Sequence, residues 1–301
     1  MFLKKFVPVL GPVALLSAPA MAKPAAPAAK PDLDPAVWVV KDADTTIYLF
    51  GTVHVLDGKG EWFNDEVKSS FDKASELVIE VLIPEDKASM APLVMKYGLD
   101  MSGKKLSDKL SPEGKVRLAA AAKDGGVPME AMDHFKPFFA AITLSALKYQ
   151  ELGMNQDSGA EKALTDAAKA AGKKVGELET LEFQMSRFDA LPEDEQIRLL
   201  EKALEDDANM EAEIKAMIGA WGKGDPDELA KILAKMDDDS PALNKMLLTD
   251  RNKNWADWIA KRMDQPGTVF VAVGAAHLAG KDSVQDMLKA KGVSSARVAN
   301  K

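Results

Sequence analysis

A chain of 301 residues, 47% hydrophobic and 29% charged, is long enough for one large globular domain or two smaller ones around a sizeable core. Its formal charge of −8 argues against nucleic-acid binding, which calls for a basic face or stripe. With no cysteine anywhere, disulfides, thiol catalysis, thiolate-ligated zinc and a cysteine lipid anchor are all excluded.

Lys4 and Lys5 precede an apolar run over residues 6–16, and Ser17-Ala18-Pro19-Ala20-Met21-Ala22 follows with small residues. A basic start, a short apolar core and a small-x-small end predict a secretory signal peptide over 1–22, cleaved after Ala22. The run is too short to span a bilayer and is broken by Pro8, Gly11 and Pro12. A periplasmic protein without a stable membrane span is therefore expected. Residues 23–35, rich in Ala and Pro, read as a flexible linker.

Val37 to Val40 and Thr46 to Phe50 are rich in β-branched and aromatic residues and flank Lys41-Asp42-Ala43-Asp44, which predicts a β-hairpin. Trp62 to Ala74 has helical spacing, and Glu76 to Leu82 reads as a buried strand ended by Pro84. Helices are expected at Lys87 to Tyr97, Pro112 to Asp124, Pro137 to Leu152 and Ser158 to Ala171, the last with a serine start and Gly172 behind it. Lys174 to Glu179 reads as a short strand. Further helices are expected from Pro192 to about Ile218, Asp225 to Met236, and Pro241 to Arg262. A strand at Thr268 to Val273, a helix at Lys281 to Lys291 and a strand at Ala296 to Val298 close the chain. The pattern predicts an α/β (α+β) fold. In it a mixed central sheet is built from two related halves carrying Gly-x-x-His motifs, with a large helical insertion. We expect a single domain over 36–301 with its helical middle at about 86–264.

The chain has three histidines, and two of them follow an apolar strand and a glycine at the same spacing: Gly51-Thr52-Val53-His54 and Gly274-Ala275-Ala276-His277. A glycine at a strand end lets the backbone turn, and the edge beyond the strand C-termini is where open α/β sheets bind ligands. His54 and His277 can share a site only if their strands lie close together in the sheet. Glu80 closes the apolar run Leu77-Val78-Ile79, where a buried carboxylate is costly unless paired or metal-bound. Two imidazoles and a carboxylate make a three-ligand metal set with room for water. A metal there would lower the pKa of the water and polarise a scissile carbonyl. Without a metal, Glu80 could serve as a general base oriented by histidine. Glu179 ends its strand as Glu80 does, and either supports the site or caps the following helix. Arg251 suits an oxyanion or a substrate carboxylate, or else lies on a solvated helix face beside Asn252. His134 has no comparable strand setting and reads as structural.

These segments together resemble the TraB/GumN family, also called Tiki-like or PrgY-like. The resemblance rests on Tyr48-Leu49-Phe50-Gly51-Thr52-Val53-His54, Leu77-Val78-Ile79-Glu80, Gly176-Glu177-Leu178-Glu179-Thr180, Asp250-Arg251-Asn252 with Trp255-Ala256, and residues 271–280 around His277. It implies an α/β fold and a metal-dependent protease, with similar sites in erythromycin-esterase-like and haem-binding ChaN-like relatives. His54, Glu80 and His277 would form the metal site, with Glu80, Arg251 and Glu179 in catalytic or supporting roles and Gly51, Gly274 and Asn252 as supports. The second motif departs slightly, with Ala275-Ala276 before its histidine where Gly-Gly or Gly-His is common. The expected activity is that of an exported metal-dependent hydrolase, a peptidase first, acting on a peptide or small molecule. Its cofactor would be a divalent ion, with manganese, cobalt and zinc equally compatible. The competing readings are a non-catalytic binder of haem or a peptide and a metal-free esterase-like hydrolase.

Overall fold

The computed structural model describes residues 30–205, 210–236 and 240–299. The expected signal peptide and most of the expected linker lie outside the described residues. The end of that linker is packed rather than free: Leu33 N–H donates to Glu61 O and Asp34 N–H to Gly222 O. The compact unit accordingly runs from Pro31 to Lys301, a few residues earlier than expected.

Six strands form one mixed sheet: β1 (Val37–Lys41), β2 (Thr45–Thr52), β3 (Glu76–Ile79), β4 (Lys174–Glu177), β5 (Gly267–Gly274) and β6 (Ala296–Arg297). Their spatial order is β4-β3-β5-β2-β1-β6. The hairpin β1–β2 is antiparallel, and Asp42 closes its turn by accepting from Asp44 N–H and Thr45 N–H. β2, β5, β3 and β4 run parallel, so their C-terminal ends share one edge. The two motif-bearing strands are direct neighbours, with Thr52 opposite Gly274.

β5 shows why the sheet is central. Its run Val269-Phe270-Val271-Ala272-Val273 is buried throughout, as a strand covered on both faces should be. Successive side chains serve opposite layers. Phe270 and Ala272 join Phe50, Leu77, Phe71, Leu164 and Trp221 on one face, where the helices Asp65–Lys73 and Ala160–Ala170 pack. Val269, Val271 and Val273 join Ile47, Leu49, Val78, Trp255, Ile259 and Leu288 on the other, under the helices Asp250–Arg262 and Val284–Ala290. The helical middle carries a further core of its own around Leu106, Leu118, Met132, Leu144 and Leu200.

Several boundaries differ from the sequence reading. The expected helix from Pro192 to Ile218 is two helices, Glu193–Ala203 and Met210–Gly222. The helix expected from Ser158 begins at Ala160, with Gly159 at its N-cap and no side-chain cap. The stretch Lys87 to Tyr97 breaks into a 3-10 turn, a single α-turn and a π-turn at Val94–Gly98. Residues 241–262 are helical as expected but contain a π-turn at Lys245–Thr249, directly before Arg251. Such π-turns often mark functional positions, because the extra residue re-aims the side chains that follow. Among the described residues no helix is long and apolar enough to cross a membrane.

Candidate functional site

The site lies at the C-terminal edge of the parallel strands, where the two helical layers meet. Gly274 is its floor. A Cβ built there would stand 3.3 Å from His54 Nε2, 3.5 Å from Glu80 Oε2 and 3.5 Å from His277 Cδ2. The glycine therefore clears one point around which both imidazoles and the carboxylate gather. Gly51 serves closeness of another kind, since a Cβ on it would press to 2.9 Å from the Ala275 backbone. Without that side chain the two motif strands can approach each other as they turn.

His277 is 4% exposed, and its tautomer can be read from its partners. Asn252 Nδ2 donates to the Asp282 carbonyl at 2.8 Å, which turns Asn252 Oδ1 toward His277 Nδ1 at 2.6 Å. Nδ1 therefore carries the proton and Nε2 keeps its lone pair, 3.4 Å from Arg251 Nη1 and 3.9 Å from Glu80 Oε2. The Trp255 ring packs on the imidazole with centroids 4.3 Å apart. Burial, with the Arg251 and His54 charges nearby, outweighs the attraction of Glu80 and lowers the His277 pKa to about 3. His277 is thus a neutral base at ordinary pH.

Glu80 sits just past the end of β3 and is 7% exposed. Its Oε1 accepts from Arg251 Nη2 and from Gln184 Nε2 at 3.1 Å, and its Oε2 accepts from Gly274 N–H at 3.2 Å. Burial opposes its charge, but Arg251 and both histidines outweigh that cost and hold the pKa at about 2. Glu179 also belongs to the site and not to a helix cap. It receives Arg251 Nε at 2.9 Å, Trp255 Nε1 at 3.0 Å and Gln184 Nε2 at 3.2 Å, while Thr180 caps the next helix.

Arg251 is 13% exposed at its side chain, so it does not lie on a solvated helix face. Every guanidinium nitrogen faces a protein acceptor: Glu179 from Nε, Glu80 and Glu179 from Nη2, and the Leu247 carbonyl and His277 from Nη1. The Leu247 carbonyl comes from the π-turn. Arg251 thus ties the two carboxylates together, and only the Nη1–H that faces His277 Nε2 at 3.4 Å is left for the oxyanion role the sequence suggested.

His54 differs from the rest. Its side chain is 61% exposed, and its Nδ1 lies 2.5 Å from Glu161 Oε1. Its contact with the protein works against protonation, yet the Glu161 hydrogen bond and charge, aided by Glu80, push its pKa up to about 9. Glu161 and Gln184 were not singled out from the sequence. The one signal for Glu161 was its place in the first turn of a helix following a glycine, which is common on surface helices. His134, which reads as structural from the sequence, contributes a backbone carbonyl to Asp100 N–H.

The donor set has the chemistry of a cation site, with both Nδ1 atoms held by oxygens, His54 Nε2 and Glu80 Oε2 turned to the glycine floor, and His277 Nε2 3.9 Å from Glu80 Oε2. The ligand atoms of His54, Glu80 and His277 do not all lie within 4.8 Å of one another, so the three would have to draw closer to hold one ion. Among the described residues, the group whose ligand atoms all lie within 4.8 Å of one another is Asp32, Asp34 and Asp65, elsewhere on the molecule.

The chain is 25% identical to the uncharacterized protein YbaP of Escherichia coli (strain K12) over 255 residues, 85% of this chain and 92% of that one. It is 23% identical to an uncharacterized protein of Treponema pallidum (strain Nichols) over 268 residues, 84% of this chain and 79% of the relative. No solved structure matches. The TraB/PrgY/gumN family profile matches residues 36–297, which takes in every strand and every site residue, and the chain belongs to that family.

Proposed function

We propose that the protein is an exported, metal-dependent hydrolase, a peptidase in the first instance, whose divalent ion is held by His54, Glu80 and His277. The observation that carries this reading is the convergence of two Nδ1-anchored imidazoles and a buried carboxylate over Gly274. Charge supports it. Glu80, Glu161 and Glu179 oppose the single guanidinium of Arg251, which leaves two negative charges once His54 has given up its second proton, as it must to hold an ion. A divalent cation would balance them. When bound, such an ion supplies a water of lowered pKa and polarises a carbonyl.

The chain's own residues do the rest. Asn252 keeps the His277 lone pair turned inward, and Arg251 with Gln184 keeps Glu80 ionised and immobile. The exposed His54 is where substrate can reach the site. Peptides are preferred as substrates through the resemblance to metal-dependent proteases, and the N-terminal signal supports action in the periplasm. A metal-free hydrolase has one observation in its favour: Arg251 already balances the Glu80 charge.

The test is the mature protein purified from the periplasm, assayed for bound metal and for cleavage of a peptide library with and without chelator. One metal per chain, lost in both His54→Ala and His277→Ala, and chelator-sensitive cleavage are expected. Undiminished cleavage after complete metal removal would transfer the chemistry to the metal-free hydrolase. Tight haem binding with no turnover would overturn both.

A further inference from the structure

His54 stands at the open rim of the site, where an exposed imidazole would ordinarily sample several rotamers. One carboxylate prevents this. Glu161 Oε1 lies 2.5 Å from His54 Nδ1 and accepts the Thr52 hydroxyl, also at 2.5 Å. Thr52 is 2% exposed at the end of β2, so Glu161 is itself held from the strand that delivers His54.

The backbone repeats the attachment on both sides. Ala160 N–H donates to the Val53 carbonyl at 3.1 Å. Gly159 packs against the His54 carbonyl so closely that a Cβ would come within 2.2 Å of the oxygen. The helix behind these contacts does not drift, because Ala160, Leu164 and Ala168 are buried in the core layer against the sheet. Gly159-Ala160-Glu161 thus grips Thr52-Val53-His54 residue by residue, although about a hundred positions separate them in the chain.

We infer that Glu161 is a positioning residue of the site: its carboxylate accepts the Nδ1–H of His54, so that the proton given up when a cation binds is the one on Nε2, and it is Nε2 that faces the point above Gly274. The inference rests on the reading of His54 as a ligand in the proposed site. Without an acceptor at Nδ1 the neutral ring can place its proton on either nitrogen, and the Nε2–H form cannot donate to a cation. Asn252 does the same for His277, so each motif histidine has its own oxygen partner supplied by a distant helix.

Nitrogen-15 NMR of the mature full chain tests this without any turnover, using Glu161→Ala and Glu161→Gln. The wild type should show a downfield, slowly exchanging ring proton on His54 Nδ1. It should vanish in Glu161→Ala and persist in Glu161→Gln, whose amide oxygen can still accept it. Co2+ affinity, measured by calorimetry with its absorption spectrum recorded, should fall about 10- to 100-fold in Glu161→Ala. In Glu161→Gln it should fall less. A wild type with no protected Nδ1 proton overturns the inference even if Glu161→Ala fails to fold, and so does equal Co2+ affinity in wild type and a folded Glu161→Ala. If wild type takes up no Co2+ while the ring proton behaves as stated, the metal site falls and the positioning by Glu161 stands.

Discussion

His54 and His277 arrive by the same device, an apolar strand followed by glycine and a histidine three residues on, yet they end in opposite environments. β5 runs into a 3-10 turn at Ala275–Leu278, and His277 is sealed beneath Trp255 with Asn252 and Arg251 around it. β2 runs into an irregular stretch, and His54 reaches the rim with 61% of its side chain exposed. Burial drives the first imidazole toward neutrality, and a carboxylate drives the second toward a positive charge. The shared spacing brings two imidazoles to one sheet edge. Which helix packs over each then decides its protonation and its access to solvent.

The comparison predicts that the His277 side carries stability and the His54 side carries chemistry. The largest effect should come from Arg251→Ala, which leaves Glu80 and Glu179 as buried, uncompensated charges. Breaking a buried ion pair by removing one partner costs about 3–5 kcal/mol. Urea unfolding at pH 7 should show a loss of that order. A loss below about 1 kcal/mol would mean that the two carboxylates are not held as described.

Paired substitutions on the two sides sharpen the contrast. Asn252→Ala removes the acceptor from a buried imidazole and should cost about 1–3 kcal/mol. His54→Ala removes a ring that is mostly in water and should stay within about 0.5 kcal/mol of wild type. Metal uptake should respond differently, being abolished by His54→Ala and only weakened by Asn252→Ala. Comparable destabilisation by the two variants would erase the division between the sides.

The sequence exposed one half of this site far better than the other. His54, His277 and Glu80 were legible because each follows a short apolar strand, and strand ends sharing one edge bring their residues together. The hairpin at Asp42 and the helix Pro112–Asp124 were legible for equally local reasons, a turn residue and a capped, periodic run. Glu161 and Gln184 were not, since both sit on helices and what brings them to the site, His54 for the one and Glu80 for the other, lies about a hundred residues away. The bond from Arg251 to the Leu247 carbonyl was hidden too, because it depends on a π-turn that opens that carbonyl. Helix periodicity does not reveal such an insertion, as it did not reveal that the helix from Glu193 ends at Ala203.

The smallest effect, and the most specific to the contrast, lies in the pH dependence of stability. For His277 the folded value of about 3 lies below the ordinary 6.5, so between those values the unfolded chain binds a proton that the folded one refuses. Its contribution is complete above pH 6.5 and is lost as pH falls toward 3. Glu80, lowered from 4.5 to about 2, adds a loss of the same sign at still lower pH. His54 works the other way. Its folded value of about 9 lies above 6.5, so its contribution is complete below pH 6.5 and is lost as pH rises through 9. Solvent screening at the exposed ring makes this alkaline loss the weaker of the two. Urea midpoints of the metal-free protein from pH 4 to 10 should therefore fall steeply on the acid side and gently on the alkaline side. His54→Ala should flatten the alkaline limb and leave the acid limb in place. An alkaline limb unchanged in that variant would assign the lost proton to another group.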